Sequence, residues 1–324
     1  MEEKLRWAIL GTGAIAKKFA EGLAMGQSGE LVAVGSRSMD TATAFSSEFG
    51  GDAVEGYAAV LDRSDVDIVY ISLPHHLHAE WTQKAAQAGK HILCEKPFTL
   101  TLAEARASLE AVKAADVFFM EAFMYRCHPQ MITLRELLNE GVIGKPIMAH
   151  AEFGGVTGRP GHHFRIDGSL GGGALMDVGC YTVSMLRWIA GEEPNKIAYA
   201  ANMGDGDYDR DGVGQLIFPS GFRATFGCSI HCRLENVLRV YGEKAILTVT
   251  SPWFCNGGIY VQLDGQAPEP IKFKTVPHLW GHQADLVRAY LPKRQAPTMT
   301  WQDTLGNART LDGLARSAGL KFVP

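Results

Sequence analysis

The sequence predicts an α/β protein in which an N-terminal doubly wound parallel sheet is followed by an α+β domain with a large, mostly antiparallel open sheet. Residues 1–120 alternate short apolar runs with helical patterns, which is typical of parallel strands joined by helical crossovers. A glycine-rich turn lies between the first apolar run and the first helical pattern. After Arg126, short strand-like segments follow one another with little helix between them.

Strands and helices alternate through the N-terminal part. Apolar runs predict strands at residues 7–11, 31–35, 67–73, 91–94 and 117–120. Apolar side chains spaced three and four residues apart predict helices at residues 14–25, 41–49, 78–88 and 102–114. Crossovers of this kind join parallel strands with right-handed topology, so we expect helices on both faces of the sheet.

The pattern changes after Arg126. One more helix is predicted at residues 128–140, and a helix near residues 174–190 interrupts the strands that follow. Those strands are predicted at residues 147–153, 196–201, 214–218, 223–231, 236–241, 245–250, 258–263 and 271–274. A helix at residues 300–318 closes the chain. We therefore expect two domains, residues 1–123 and residues 124–324.

Composition and charge exclude several classes of protein. The 324 residues are 46% hydrophobic and carry a net charge of −4, so the chain has no global positive field for nucleic acid or an anionic membrane. It has no apolar run of about 20 residues, the length that crosses a bilayer. Its start, Met1-Glu2-Glu3-Lys4, does not resemble a signal peptide. We expect a cytoplasmic protein whose six cysteines are buried thiols without disulfides.

A glycine-rich turn follows the first predicted strand. The segment Gly11-Thr12-Gly13-Ala14-Ile15-Ala16 has the Gly-x-Gly-x-x-Ala pattern of a dinucleotide-binding loop in its required strand-turn-helix context. Gly11 permits the tight turn, Gly13 lets the backbone approach a pyrophosphate, and Ala16 allows close packing of helix on strand. The helix start offers N–H groups to the phosphates. The first domain is therefore predicted to be a Rossmann domain that binds its cofactor through residues 11–15.

The residues after the second predicted strand bear on the choice of cofactor. An NAD site usually has an Asp or Glu there for the ribose 2′-hydroxyl, whereas the 2′-phosphate of NADP calls for Arg. Here the strand is followed by Ser36-Arg37-Ser38, with no acid before Asp40. Arg37 can donate two parallel charge-assisted hydrogen bonds to a phosphate. We favour NADP, with Ser36 and Arg37 as contacts. The alternative is NAD, with Arg37 as a solvated loop residue.

More polar side chains follow the third and fourth predicted strands. The third is followed by Leu73-Pro74-His75-His76-Leu77-His78, and the fourth by Glu95-Lys96-Pro97. Ligands of open α/β sheets lie at the carboxyl ends of the strands. We therefore expect the following residues to line the cofactor site: Leu73, His75, His78, Glu95 and Lys96. Pro97 makes the Lys96–Pro97 bond a candidate cis peptide.

Three motifs, taken in this order, resemble the glucose-fructose oxidoreductase, inositol dehydrogenase and rhizopine catabolism (Gfo/Idh/MocA) family. They are the loop at residues 11–16, Glu95-Lys96-Pro97, and Gly171-Gly172-Gly173-Ala174-Leu175-Met176-Asp177-Val178-Gly179-Cys180-Tyr181. The resemblance covers essentially the whole chain. Within the family, Tyr181 and Glu121-Ala122-Phe123-Met124-Tyr125-Arg126 are most similar to NADP-dependent dimeric dihydrodiol dehydrogenases and xylose dehydrogenases.

The resemblance implies that Lys96 is the catalytic lysine and that Asp177 and Tyr181 complete the site. Many members carry His where this chain has Tyr181, which puts a proton relay of the inositol dehydrogenase type in doubt. On a helix beginning near Ala174, Asp177 and Tyr181 are one turn apart. They lie roughly 80–120° from the centre of an apolar stripe that contains Leu175, so they would border a cleft.

Other polar residues are candidate metal ligands or substrate contacts. No carboxylate or thiolate lies near either of two histidine groups, which are His75, His76 and His78, and the pair His162 and His163. We therefore predict no metal site. Three residues are candidate substrate contacts by location alone: Arg165, Trp280 and His282.

Together these features predict an enzyme that transfers hydride between a nicotinamide and a carbon of a sugar, polyol or cyclic diol. In the oxidative direction Tyr181 would accept the hydroxyl proton, Lys96 would stabilise the developing oxyanion, and Asp177 would orient the pair or bind a neighbouring hydroxyl. The alternatives are a non-catalytic regulator that senses NADP or a sugar, and a redox-assisted glycosidase on the same fold. The open second sheet has a face that needs covering, which predicts a homodimer or higher homo-oligomer.

Overall fold

The computed structural model describes residues 4–157 and 164–321. Its residue contacts divide the chain into two compact units, Met1–Cys127 with Val276–Leu305 and His128–Thr275 with Gly306–Pro324. The main division falls at residues 127/128, and residues 276–305 return to the first unit, while the expected domains of residues 1–123 and 124–324 stay a prediction. This return depends on tertiary packing that leaves no local sequence pattern.

The first unit is built on a six-stranded sheet. Its strands are β1 (Leu5–Leu10), β2 (Gly29–Ser36), β3 (Asp52–Glu55), β4 (Ile68–Ile71), β5 (His91–Glu95) and β6 (Phe119–Ala122). The helices between them are α1 (Ala14–Met25), α2 (Met39–Phe49), α3 (Tyr57–Leu61), α4 (His78–Gln87) and α5 (Leu102–Ala114). The helices α1 and α5 have the predicted bounds. The short elements β3 and α3 were not predicted, because four or five residues carry too little periodicity.

Every strand pair in this sheet is parallel, and the strand order is β3-β2-β1-β4-β5-β6. This is the doubly wound order that the sequence predicted. The order reverses between β1 and β4, and ligands of such sheets bind in the crevice at that reversal, outside the carboxyl ends of the strands. The peptide bond between Lys96 and Pro97, just after β5, is cis, as predicted.

The second unit contains an eight-stranded sheet within the described residues. Its strands are β7 (Pro146–Gly154), β8 (Lys196–Met203), β9 (Asp209–Ile217), β10 (Arg223–Ser229), β11 (Val237–Gly242), β12 (Ala245–Thr250), β13 (Ile259–Leu263) and β14 (Glu269–Ile271). Two helices lie between these strands or before them in the chain, α6 (Pro129–Asn139) and α7 (Cys180–Ala190). The strand order is β14-β13-β12-β11-β7-β10-β9-β8. The β7–β10 pair is parallel and the other pairs are antiparallel, so the predicted mostly antiparallel sheet is confirmed.

One face of this sheet is buried and the other is open. In β10, Ala224 and Phe226 are buried while Arg223 and Thr225 are exposed, as the period of two in a strand requires. The buried face packs against α7 and the turn that precedes it. That packing holds the segment that contains Asp177 and Tyr181.

Two further helices follow β14. The helix α8 (Leu279–Tyr290) packs on α1 in the first unit, and α9 (Trp301–Ser317) contributes residues to both units. Neither α8 nor the exact position of β14 was predicted; the last strand was expected at residues 271–274. The backbones of α1 and α8 approach so closely that a Cβ atom on Gly281 would lie 2.4 Å from the carbonyl oxygen of Gly22.

Two further findings concern the state of the cysteines and the length of the apolar helices. None of the six cysteines, which all belong to the described residues, is in a disulfide, and five of them are buried. Cys232 is exposed, so the expectation of six buried thiols is wrong for this residue. Among the described residues, no helix is both long and apolar enough to cross a membrane.

Candidate active site

The glycine-rich turn after β1 has the backbone geometry of a dinucleotide loop. Gly11 has a φ of +103°, a conformation that favours glycine. A Cβ atom at this position would also lie 3.1 Å from the carbonyl oxygen of Ser72, which follows β4. The turn is therefore tied to the crevice between β1 and β4, and a larger residue at position 11 would be both strained and crowded.

The start of α1 is suited to an anionic group. Gly13 is the N-cap residue, and its position provides no side-chain cap for the first N–H groups of the helix. The first turn of α1 contains no acidic residue. A Cβ atom on Gly13 would meet no protein atom within 4 Å, so the protein's own packing does not require glycine there. Ala16 is fully buried, as close helix-to-strand packing requires. These residues fit the pyrophosphate of a dinucleotide.

The end of β2 presents an exposed guanidinium. Arg37 is exposed, whereas the neighbouring Ser36 is buried. The hydroxyl of Ser36 is hydrogen-bonded to that of Thr41 at 2.5 Å. Arg37 is therefore the residue of this pair whose side chain is accessible to a ligand. Its charge also acts on Tyr57, whose pKa is raised mainly by burial.

The segment after β4 contains two of the histidines predicted to line the cofactor site, His75 and His78. Leu73 and His75 are buried at the carboxyl end of the strand. His78 is fully buried, and its ring nitrogens lie 2.8 Å from two carbonyl oxygens, those of Leu73 and Pro97. Burial lowers the pKa of His78 to about 4, so the ring is neutral at pH 7. The prediction that His78 lines the cofactor site stays a prediction. The ring of His78 links the turn after β4 to the segment after β5.

The segment after β5 carries the predicted catalytic lysine. Glu95 is buried and accepts a hydrogen bond from the Tyr70 hydroxyl at 2.5 Å. Lys96 is half-buried, and its charge contributes to lowering the pKa of His78. The backbone N–H of Phe98 donates to Glu121 on β6 at 2.9 Å. The Glu95 carboxylate also accepts a hydrogen bond from the Lys96 N–H at 3.3 Å, so carboxylates on β5 and β6 hold the backbone on both sides of the Lys96–Pro97 bond.

In the second unit, a buried aspartate holds the turn that carries Asp177. Residues Leu175–Gly179 form one π-helical turn, and α7 begins immediately after it. Asp209 on β9 is buried and accepts hydrogen bonds from the Leu175 N–H at 2.7 Å and the Tyr199 hydroxyl at 2.6 Å. Gly173, with a φ of +114°, allows this approach, because a Cβ atom there would lie 2.0 Å from Asp209 Oδ1.

The π-turn changes the expected relation between Asp177 and Tyr181. The sequence analysis assumed 3.6 residues per turn, and the observed turn is wider, so the predicted angle from the apolar stripe does not apply. Both side chains are buried, at 4% and 6% exposure. Such π-turns occur often at functional sites.

Asp177 and Tyr181 each have defined neighbours within the second unit. Arg165 Nε lies 3.0 Å from Asp177 Oδ2, so the predicted substrate contact Arg165 forms an ion pair with the predicted site residue. The ring of Tyr181 packs edge-on against Phe153 and Trp253, with centroid distances of 5.2 and 6.0 Å. Aromatic packing therefore fixes the direction of the phenol.

Trp280, a predicted substrate contact, is buried on α8 in the first unit. Its ring centroid lies 5.7 Å from that of His278 and 5.4 Å from Lys18 Nζ. His162 and His163 lie outside the described residues. In the described part of the chain, no group of three His, Cys, Asp or Glu residues is arranged to hold a metal ion. Sequence reasoning missed Asp209, although the Gly171-Gly172-Gly173 run signalled that another group approaches the backbone there.

Asp209 gives a testable pH dependence. Burial raises the pKa of this carboxyl to about 6, above its ordinary value of about 4, while hydrogen bonds from Tyr199 and Leu175 oppose the shift. The folded protein therefore binds this proton more tightly than the unfolded chain. The contribution of Asp209 to the free energy of unfolding is largest below about pH 4 and falls as the pH rises to about 6.

Asp209→Asn keeps the size of the side chain and removes its titration. As the pH rises from 4 to 6, the free energy of unfolding of the variant is expected to increase relative to that of the wild type. The reason is that the wild type loses the contribution of protonated Asp209, whereas the variant does not titrate at this position. Urea denaturation at several pH values measures this difference, with Asp264→Asn, at an exposed position in the same unit, as the control. A difference in unfolding free energy that stays constant over this range would contradict the assignment.

Comparisons with known proteins agree with this architecture. Residues 5–123 match a family model described as an oxidoreductase family with an NAD-binding Rossmann fold, and residues 131–248 match the GFO/IDH/MocA C-terminal domain. The chain is 31% identical to trans-1,2-dihydrobenzene-1,2-diol dehydrogenase of Mus musculus over 98% of both chains. It is 36% identical to D-xylose 1-dehydrogenase (NADP(+)) 2 of Haloferax volcanii over 68% of both chains.

A solved structure extends this similarity to the whole fold. A 3-ketoreductase from Actinomadura kijaniata, in complex with NADP and TDP-benzene, superposes with a TM-score of 0.90 at 27% identity. The match covers 99% of this chain and 100% of that one. Both family models and full-length relatives thus agree with the fold and with the loop after β1. The chain belongs to the GFO/IDH/MocA oxidoreductase family.

Proposed function

We propose that this protein is an NADP-dependent oxidoreductase that interconverts an alcohol and a carbonyl in a sugar, polyol or cyclic diol. The observation that carries the proposal is the arrangement within the first unit. The Gly11–Gly13 turn, the segment after β4 and Lys96 follow β1, β4 and β5, which are adjacent parallel strands. A lysine thus lies at the same sheet edge as a dinucleotide loop. The relatives support the substrate class, because their names specify a diol, D-xylose and a ketone.

The chain's own residues divide the work of the reaction. NADP, when bound, supplies the hydride acceptor or donor, and residues 11–15 and Arg37 would hold it. The ammonium of Lys96 stabilises negative charge on the substrate oxygen. The phenolate form of Tyr181 accepts the hydroxyl proton in oxidation and becomes the phenol, and the phenol donates that proton to the carbonyl oxygen in reduction. Asp177, held by Arg165, accepts a hydrogen bond from a neighbouring substrate hydroxyl.

A spectrophotometric assay tests the proposed function. The protein is incubated with NADP and a panel of aldoses, polyols and cyclic diols, and with reduced NADP and the matching carbonyl compounds. We expect net formation or loss of reduced nicotinamide with at least one class of compound. No turnover in either direction with every compound would contradict the proposal and favour a sensor. Cleavage of a glycoside without net reduction would favour a glycosidase.

Arg37→Ala tests the choice of cofactor. Hydrogen bonds to a charged group contribute about 1.5–3 kcal/mol, so the dissociation constant for NADP is expected to rise about 10- to 100-fold. Affinity for NAD, which lacks the 2′-phosphate, should not fall. Equilibrium binding of both nucleotides measures the effect, and Arg106→Ala, an exposed arginine on α5, is the matched control. Unchanged NADP affinity in Arg37→Ala would assign the 2′-phosphate to another group.

We also propose that the protein forms a homodimer through the open face of the second sheet. Met148 on β7 is 44% exposed and Val213 on β9 is 64% exposed. Both lie on the face opposite the buried residues Phe226 and Ala224. Covering apolar groups on an open sheet face favours association. Sedimentation at micromolar concentration should give twice the mass of one chain, and a monomer would contradict this proposal.

We further propose that the protein acts in a reducing compartment such as the cytoplasm, because none of its six cysteines is in a disulfide.

A further inference from the structure

We propose that Tyr70 is a positioning residue for the reaction and that it acts on Lys96 through the carboxylate of Glu95. This inference rests on the proposed function, because it assigns a role in turnover to a residue that lies behind the proposed catalytic lysine. In the sequence, Tyr70 lies among the apolar residues of the third predicted strand, a position that predicts burial only. The contacts that support the role all lie within the first unit.

Tyr70 and Glu95 lie on the same face of the parallel sheet. Tyr70 on β4 pairs in register with Leu93 on β5. Glu95 follows Leu93 by two residues, so its side chain leaves the same face one step closer to the carboxyl edge of the sheet. The Tyr70 hydroxyl spans this step and donates a hydrogen bond to Glu95 Oε1 at 2.5 Å. The strand register therefore builds this pair.

Aromatic packing fixes the ring of Tyr70. The residue is fully buried, and its ring stacks on that of Phe19 in α1, with the centroids 4.0 Å apart and the planes at 22°. Phe19 packs in turn on Trp7 of β1, at a centroid distance of 5.0 Å. Phenylalanine at position 70 would keep these ring contacts and would lack the donor to Glu95.

The carboxylate of Glu95 connects the Tyr70 hydroxyl to Lys96. Glu95 is buried, and hydrogen bonds that a buried carboxylate accepts favour its charged form. Glu95 Oε1 accepts from Tyr70, and Glu95 Oε2 accepts from the backbone N–H of Lys96 at 3.3 Å. The Tyr70 hydroxyl thus helps to keep Glu95 charged and in place directly before Lys96.

A second buried carboxylate holds the same segment from the other face of the sheet. Glu121 on β6 pairs in register with Cys94, so its side chain leaves the face opposite to that of Glu95. It accepts a hydrogen bond from the N–H of Phe98, two residues after Lys96. Loss of the donor to Glu95 should therefore change the surroundings of Lys96 while Glu121 still holds the segment.

The charge of Glu95 bears on the chemistry proposed for Lys96. A carboxylate close to an ammonium favours the charged form of the ammonium, which is the form that stabilises negative charge on a substrate oxygen. When Glu95 binds a proton, this support is lost. Removal of the Tyr70 hydroxyl should let Glu95 bind a proton at higher pH, so turnover should fall at a pH where the wild type is still active.

The pH profile of kcat tests this role, because a merely structural tyrosine would not move it. Loss of one hydrogen bond to a charged group in Tyr70→Phe should make Glu95 bind its proton about 10- to 100-fold more tightly. The acid limb of the profile should therefore move to higher pH by about 1–2, while the dissociation constant for NADP changes by less than about threefold. Tyr290→Phe, which removes a half-buried phenol from α8 in the same unit, is the matched control and should leave the profile unchanged.

Glu95→Gln provides the second test, because it keeps the size of the side chain and removes its charge. If Tyr70 acts through Glu95, adding Tyr70→Phe to Glu95→Gln should no longer move the acid limb. Thermal denaturation shows which variants fold. Should Tyr70→Phe not fold, Glu95→Gln alone tests the connection, and its kcat should be about 10-fold lower or less with little change in NADP affinity.

Three results would overturn the role of Tyr70 while the proposed function stands. They are an unmoved acid limb in folded Tyr70→Phe, an acid limb that Tyr70→Phe still moves in the Glu95→Gln background, and an unchanged kcat in Glu95→Gln. If the wild type turns over no compound in the assay, the proposed function and the role of Tyr70 both fail.

Discussion

Replacing Lys96 with methionine is expected to lower the turnover number by about 10³-fold or more, while the affinity for NADP changes by less than about threefold. Methionine keeps the length and the apolar contacts of the stem and removes the ammonium. The ammonium is proposed to act on charge that develops in the transition state, so its loss falls on kcat. Stopped-flow or steady-state kinetics with the substrate found in the assay, together with equilibrium binding of NADP, measures both quantities.

Lys113→Met is the control for this variant. Lys113 is an exposed lysine in the last turn of α5, in the same unit. Its replacement should change neither turnover nor cofactor affinity. A loss of NADP affinity in Lys96→Met as large as its loss of turnover would instead identify Lys96 as a cofactor anchor.

Tyr181→Phe is expected to lower turnover about 10²- to 10⁴-fold, the range for loss of a general acid–base group. Phenylalanine keeps the ring packing against Phe153 and Trp253, and thermal denaturation reports any effect of the substitution on folding. The effect on kcat can therefore be separated from an effect on folding. Kinetics and thermal denaturation of the same preparation provide the two measurements.

The matched control is Tyr241→Phe, which removes a phenol from the outer face of the second sheet. It should leave turnover unchanged. Unchanged turnover in Tyr181→Phe would indicate that Lys96 or a histidine carries the proton. The role proposed for Tyr181 would then be wrong.

Much of the fold could be predicted because it follows from local sequence patterns. In α1 and α5, apolar positions recur with the helical period, and α5 also begins with a capping box in which Thr101 and Glu104 exchange hydrogen bonds. In β12, buried and half-buried residues alternate strictly, and its bounds were predicted correctly. Segments whose structure depends on distant partners were not predicted. The helix α8 is an example, because its place is set by contact with α1, which lies far from it in the sequence.

In the candidate site too, the features set by local sequence could be predicted, and those set by distant residues could not. The Gly11–Gly13 turn and the cis bond before Pro97 could be predicted, since glycine and proline restrict the backbone locally. The surroundings of His78 could not, because its partner at Pro97 lies 19 residues away. The π-turn that begins at Leu175 escaped prediction for a similar reason. The carboxylate that holds it belongs to Asp209, which is 34 residues from Leu175.

A double-mutant cycle in kcat/KM tests the proposed roles of the Lys96 ammonium and the Tyr181 phenol most directly. If the two groups stabilise the same charge and proton transfer, the combined Lys96→Met and Tyr181→Phe variant should lose far less than the product of the two single losses. Fully multiplicative losses would show that the two groups act independently and would contradict the account.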